Sequence, residues 1–162
     1  MYKFKFVALV LCLSVIFGFQ SPVSATQSVE HPMLKVYKTP TCGCCTKWLA
    51  HLTQFNISHQ IYDLPNLSEV KRKLGVQARY QSCHTGVSDN GYVFEGHIPA
   101  KFIKQFLSNP IENAIGLSVP AMPLGSPGVE VGKRFNPYQV LILMKDGSSK
   151  VFATVTEYEE QF

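Results

Sequence analysis

The chain has 162 residues, 15 of them basic and 11 acidic, and its formal net charge of +4 includes Lys3 and Lys5 near the N-terminus. Without those two, 13 basic residues face 11 acidic ones, a near balance that leaves no electrostatic footprint for nucleic acid. What remains after residue 25 is long enough for one domain with its own hydrophobic core, so the cysteines are not needed as staples of an undersized fold.

Residues 1–25 read as a secretory signal: Lys3 and Lys5 give the basic start, Val7 to Phe19 the apolar run, and Val23-Ser24-Ala25 a small-residue cleavage site. The apolar run is shorter than the roughly 20 residues a spanning helix needs. The expectation is export to the periplasm with cleavage near Thr26, and no membrane association afterwards. Cys12 lies inside the run without the small flanking residues of a lipid-attachment site, so four cysteines remain in the mature chain.

A polar lead containing His31 occupies residues 26–33 with little to hold it in place. Leu34 to Lys38 then predicts a strand, and Trp48, Leu49, Leu52 and Phe55 recur at helical spacing from about Cys44 to Phe55. A second strand is expected over Ile57 to Asp63. Asn66 and Glu69 resemble a capping box for a short second helix whose stripe is Leu67, Val70 and Leu74 and which Gly75 closes. Lys71-Arg72-Lys73 on that helix reads as a solvated basic face. Cys83 to Ser88 and Tyr92 to Glu95, joined through Asn90-Gly91, predict a hairpin, and Pro99 starts a third helix that Asn109-Pro110 stops. Residues 110–137 hold many prolines and glycines and read as a long ordered loop, with enough apolar residues to pack back on the core. Gln139 to Met144 and Lys150 to Val155 close the chain as a hairpin turning at Asp146-Gly147. The resulting βαβα-ββ-α order, with residues 110–162 as an extension, is that of a thioredoxin-like α/β core.

Three of the four mature cysteines fall in Cys42-Gly43-Cys44-Cys45, where the first strand gives way to the first helix. A Cys-x-x-Cys pair at a helix N-terminus gains from the helix dipole and free N–H groups, which favour thiolate over thiol. A dithiol exchanger needs only an attacking sulfur, Cys42, and a resolving one, Cys45; Cys44 adds a competing partner unless a soft metal holds it. Exported cysteines usually pair, but vicinal Cys44 and Cys45 cannot bridge without backbone strain, and the bunching favours ligation over cross-linking. In a thioredoxin-like core the third strand begins beside this turn, which brings Cys83 of Ser82-Cys83-His84 to face the other three. The antiparallel strand after it returns His97 to the same edge. His84 is the weaker candidate because side chains alternate along a strand and Cys83 takes the inward direction. Met122 in the proline-rich loop offers a soft metal its thioether or fills a gap in the core. Met33 and Met144 read as packing residues, and His31, His51 and His59 as surface histidines.

Thiolates select Cu(I) or Zn over Mg, Ca or Mn. A structural zinc site commonly uses two Cys-x-x-Cys arms, whereas this chain has one, and Cys44 is expected to project away from Cys42 and Cys45. Both features favour a polynuclear Cu(I)-thiolate cluster built on Cys42, Cys44, Cys45 and Cys83, with His97 and Met122 as further ligands. Two other functions fit the same residues: a copper carrier without redox turnover, and a thiol-disulfide oxidoreductase acting through Cys42 and Cys45.

The string Val36 to Cys45, the Ser82-Cys83-His84-Thr85 turn, Glu95 to Pro99, and Val119-Pro120-Ala121-Met122-Pro123 running on to Gly128 together resemble the periplasmic CopG-type copper-resistance proteins, in matching order over nearly the whole mature chain. The resemblance implies a thioredoxin-like fold, copper on Cys42, Cys44, Cys45 and Cys83, and an oxidoreductase role interconverting Cu(I) and Cu(II). Other periplasmic copper-handling proteins are the partners it suggests. One departure stands out. The family often carries Met-Glu after Ser-Pro-Gly, but here Val129-Glu130 follows Gly128, which leaves Met122 as the only loop methionine.

Overall fold

A computed structural model describes residues 32–162; the expected signal segment, Cys12 and His31 lie outside them. The elements are β1 (Met33–Lys38), α1 (Gly43–Gln54), β2 (Ser58–Asp63), α2 (Ser68–Lys73), β3 (Thr85–Ser88), β4 (Val93–Glu95), α3 (Ala100–Ser108), β5 (Ala114–Ser118), β6 (Tyr138–Met144) and β7 (Ser149–Val155). They form a mixed α/β fold around one seven-stranded sheet of order β2-β1-β3-β4-β5-β6-β7. The β-α-β-α-β-β-α order expected from periodicity is the order observed. No helix among the described residues is long and apolar enough to cross a membrane.

Two parallel pairs organise the sheet, β1 with β2 and β4 with β5, each joined by a helical crossover through α1 or α3. The antiparallel pairing of β3 with both β1 and β4 links the two units. Leu34 and Val36 on β1, Trp48 and Leu52 on α1, Phe94 on β4, Ile103 and Phe106 on α3 and Leu117 on β5 are fully enclosed in one core. Each such side chain contributes roughly 1.5–3 kcal/mol through burial. The Trp48 indole N–H donates to the Ile98 carbonyl at 2.9 Å, which ties α1 to the segment between β4 and α3.

Residues 110–137 are not all loop, because Ala114–Ser118 forms β5 in the middle of the sheet. The strand carries Gly116 at its centre, where a Cβ would lie 1.8 Å from the Val93 carbonyl oxygen, so only glycine lets β5 lie this close to β4. The remainder, residues 119–137, is tied to the C-terminal segment. Gln161 donates to the Gly125 carbonyl at 2.9 Å and accepts from the Tyr138 hydroxyl at 2.6 Å.

Two long polar side chains expected on the surface are inside. Lys71 is buried and its ammonium pairs with the fully buried Glu95. Leu67, Lys71 and Leu74 share one face of the α2 segment, so Lys71 follows the apolar stripe inward and only Arg72 and Lys73 remain exposed. His51 is likewise buried; its Nε2 accepts the Ala100 N–H at 3.0 Å and so satisfies a free donor at the start of α3. Met33, expected to pack, is instead exposed at the first position of β1.

Candidate metal centre

Sheet register brings four chain segments to one edge. β1 ends at Lys38 and the chain turns into Cys42, the N-cap of α1. Tyr37 pairs with Thr85, so the residues just before β3, Cys83 and His84, stand beside that turn. Thr85 in turn pairs with Glu95, which delivers Gly96 and His97 to the same place, and Glu95 pairs with Ser118, which starts the proline-rich loop there. This is the carboxyl end of the parallel strands β1, β4 and β5, the usual location of binding sites in open α/β sheets.

Contrary to the expectation from their bunching, Cys42 and Cys45 are joined as a disulfide, because the first helical turn brings positions three apart within reach of each other, while Cys44 and Cys83 are free thiols. The pairing is local to the first turn of α1, with Cα atoms 5.3 Å apart, so it does not cross-link the fold. Cys44 Sγ lies 3.5 Å from Cys42 Sγ, 3.8 Å from Cys83 Sγ and 3.9 Å from Met122 Sδ. Cys45 Sγ is 3.5 Å from Cys83 Sγ. All four cysteine sulfurs fall within 4.8 Å of one another. Contrary to the expectation from helical spacing, Cys44 does not project away. Cys42 has extended backbone as the N-cap, so its side chain leans over the helix start to meet that of Cys44.

Cys83 also belongs to a second group. Its sulfur lies 3.0 Å from His97 Nε2 and 3.3 Å from His84 Nδ1. The structure thus places His84 beside Cys83 at 3.3 Å, slightly farther than His97 at 3.0 Å. The alternation that argued against His84 does not operate, because β3 begins only at Thr85. His97 Nδ1 meets the Pro127 carbonyl at 2.8 Å; a carbonyl can only accept, so Nδ1 carries the proton and Nε2 presents its lone pair to Cys83. His84 packs against Trp48 with ring centroids 4.1 Å apart and planes tilted by 39°, and its Nε2 is buried without a hydrogen-bond partner. Met122 is exposed, which rules out a role as core filler and leaves its thioether at the mouth of the site.

Burial holds both imidazoles neutral by pushing their pKa values below the ordinary histidine value, His84 well below it. Burial, with the Cys44 thiol beside it, pushes the Cys83 thiol up to about 12, so a metal bound there must displace its proton. Beneath the cysteines, the Glu95 carboxylate accepts from the Ser82 N–H and the Thr85 hydroxyl, each at 2.6 Å, as well as from Lys71. These bonds fix the backbone on either side of Cys83. Gly128 closes the opposite wall at φ +92°, where a Cβ would sit 2.6 Å from the Cys44 carbonyl oxygen and 2.8 Å from the Trp48 nitrogen.

A sequence-family model described as "Protein of unknown function, DUF411" matches residues 80–129, the stretch that carries Cys83, His84, His97 and Met122. Two solved structures, described as copper resistance protein CopG in forms 1 and 2, superpose with a TM-score of 0.73 at 38% sequence identity. Each match covers 78% of this chain and 99% of the other. Comparison with curated proteins gives no match.

Proposed function

Since the chain belongs to the CopG family of copper resistance proteins, we propose that it is an exported, periplasmic copper-binding protein that in its reduced form holds Cu(I) on Cys42, Cys44, Cys45 and Cys83. His97 and Met122 extend the shell, and more than one ion binds per chain. One observation carries the polynuclear arrangement: Cys83 Sγ stands at once within 3.8 Å of the Cys44 and Cys45 sulfurs and within 3.3 Å of two imidazole nitrogens. A four-coordinate ion is filled by the sulfurs alone, so a thiolate shared with the imidazoles acts as a bridge. The four sulfurs are close enough for one ion to reach them all, and it is the shared Cys83 that supports a larger cluster.

Redox work on copper follows from the donor mixture, since sulfur favours Cu(I) and imidazole nitrogen accommodates Cu(II). Titration of the anaerobically reduced protein with Cu(I) against a chromophoric chelator tests binding; more than one equivalent retained is the expected result, and one equivalent of zinc with no copper uptake contradicts it. A Cu(II)-reduction assay with excess reductant separates turnover from simple carriage. The disulfide between Cys42 and Cys45 favours one second function, thiol-disulfide exchange. Brisk copper-free reduction of insulin would favour exchange over copper handling.

A further inference from the structure

The disulfide removes Cys42 and Cys45 from ligation but leaves Cys83 free and in contact with both imidazoles. Resting on the copper reading above, we propose that Cys83, His84 and His97 form a distinct mononuclear Cu(II) site that persists when Cys42 and Cys45 are oxidised. One thiolate and two imidazoles in a trigonal array is the donor set of blue-copper electron-transfer centres, and it suits Cu(II) where an all-sulfur cluster suits Cu(I).

The three donor atoms fall within 4.8 Å of one another. With metal–nitrogen and metal–sulfur bonds of roughly 2.0 and 2.3 Å, a trigonal site needs sulfur–nitrogen edges of about 3.7 Å. The observed edges of 3.0 and 3.3 Å open to that spacing by small ring movements. The surroundings hold the set in place. Pro127 fixes the His97 tautomer, Trp48 packs tilted against His84, and Glu95 anchors the Ser82 N–H next to Cys83. Both imidazoles are fully enclosed, which gives the dry shell such centres require.

The test uses Cys44→Ser with the Cys42–Cys45 disulfide intact, so that Cys83 is the single free thiol among residues 32–162 and Cu(II) cannot couple it to Cys44. Titration with Cu(II) sulfate should saturate at one equivalent and develop an intense thiolate-to-Cu(II) charge-transfer band in the visible. Cys83→Ser in that background should abolish the band, and His97→Ala should weaken Cu(II) binding at least about tenfold, the loss of about 1.4 kcal/mol. Because His84→Ala risks collapse against Trp48, electron–nuclear double resonance on the Cys44→Ser protein counts the ligand nitrogens directly. Two imidazoles are expected, and fewer overturns the site, as does Cu(II) uptake without the band. If the reduced chain takes up several Cu(I) ions while the oxidised chain shows no band, the inference falls and the proposed function stands; if neither form binds copper, both fall.

Discussion

Lys71→Met removes the cation from an ion pair in which both side chains are buried. Breaking a buried pair by deleting one partner costs about 3–5 kcal/mol, because the remaining charge is uncompensated. Glu95 keeps the Thr85 hydroxyl and the Ser82 N–H at 2.6 Å each, so the lower end of that range applies. For a domain of this size a loss of about 3 kcal/mol lowers Tm by roughly 10–15 °C. The pH dependence has a definite sign. Burial already raises the Glu95 pKa above its ordinary value against the pull of Lys71. Without Lys71 it rises further, and a carboxyl whose folded pKa exceeds its unfolded pKa costs stability as pH climbs from the unfolded value through the folded one. Denaturant unfolding followed by the fluorescence of Trp48 should therefore show Lys71→Met losing more stability than the unsubstituted protein as pH climbs above the ordinary carboxylate range. Lys71→Met with Glu95→Gln should recover most of the loss. A single-variant cost below about 1 kcal/mol, or a double variant weaker than the single, refutes the reasoning.

His51→Phe should destabilise the chain by about 1–3 kcal/mol in the same unfolding assay, because the buried Ala100 N–H loses its acceptor. Burial lowers the His51 pKa from 6.5 to about 4, so its neutral form is favoured in the fold and stability falls as pH drops from 6.5 toward 4; the variant should show a shallower acid limb. Gly128→Val meets the Cys44 carbonyl oxygen and the Trp48 nitrogen in a left-handed backbone position, and should detach the loop wall, read as faster proteolysis within residues 119–137 and weaker copper retention. Gln161→Ala, which breaks the bonds to Gly125 and Tyr138, should loosen the same loop from its other side by about 1–2 kcal/mol without changing copper stoichiometry, measured by denaturant unfolding and metal analysis together.

Much of the fold was legible because its helices are amphipathic and its hairpins turn at Asn90-Gly91 and Asp146-Gly147. Strand β5 was not. Its five residues carry a central glycine whose purpose is a close approach to Val93, a contact that no local pattern encodes. The placement of Cys83 beside the cysteine turn followed from likeness to a thioredoxin-like core, and that of His97 from the direction of the next strand. The position of Cys44 did not, because helical spacing was applied to Cys42, which is a cap residue with extended backbone. His84 was set aside by strand alternation one residue before the strand begins. Lys71 and His51 were assigned to the surface from their polarity, although both lie on the apolar stripes of their helices, Lys71 between Leu67 and Leu74 and His51 between Trp48 and Phe55; their distant partners, Glu95 and Ala100, are what make burial tolerable.

Metal analysis of the reduced protein purified anaerobically from copper-supplemented cells, side by side with Cys83→Ser, tests the shared-thiolate centre most directly. The account predicts more than one copper per unsubstituted chain, and a clearly lower ratio in a variant whose far-ultraviolet circular dichroism is unchanged. Equal copper loading in the two proteins, or a single zinc in both, would contradict it.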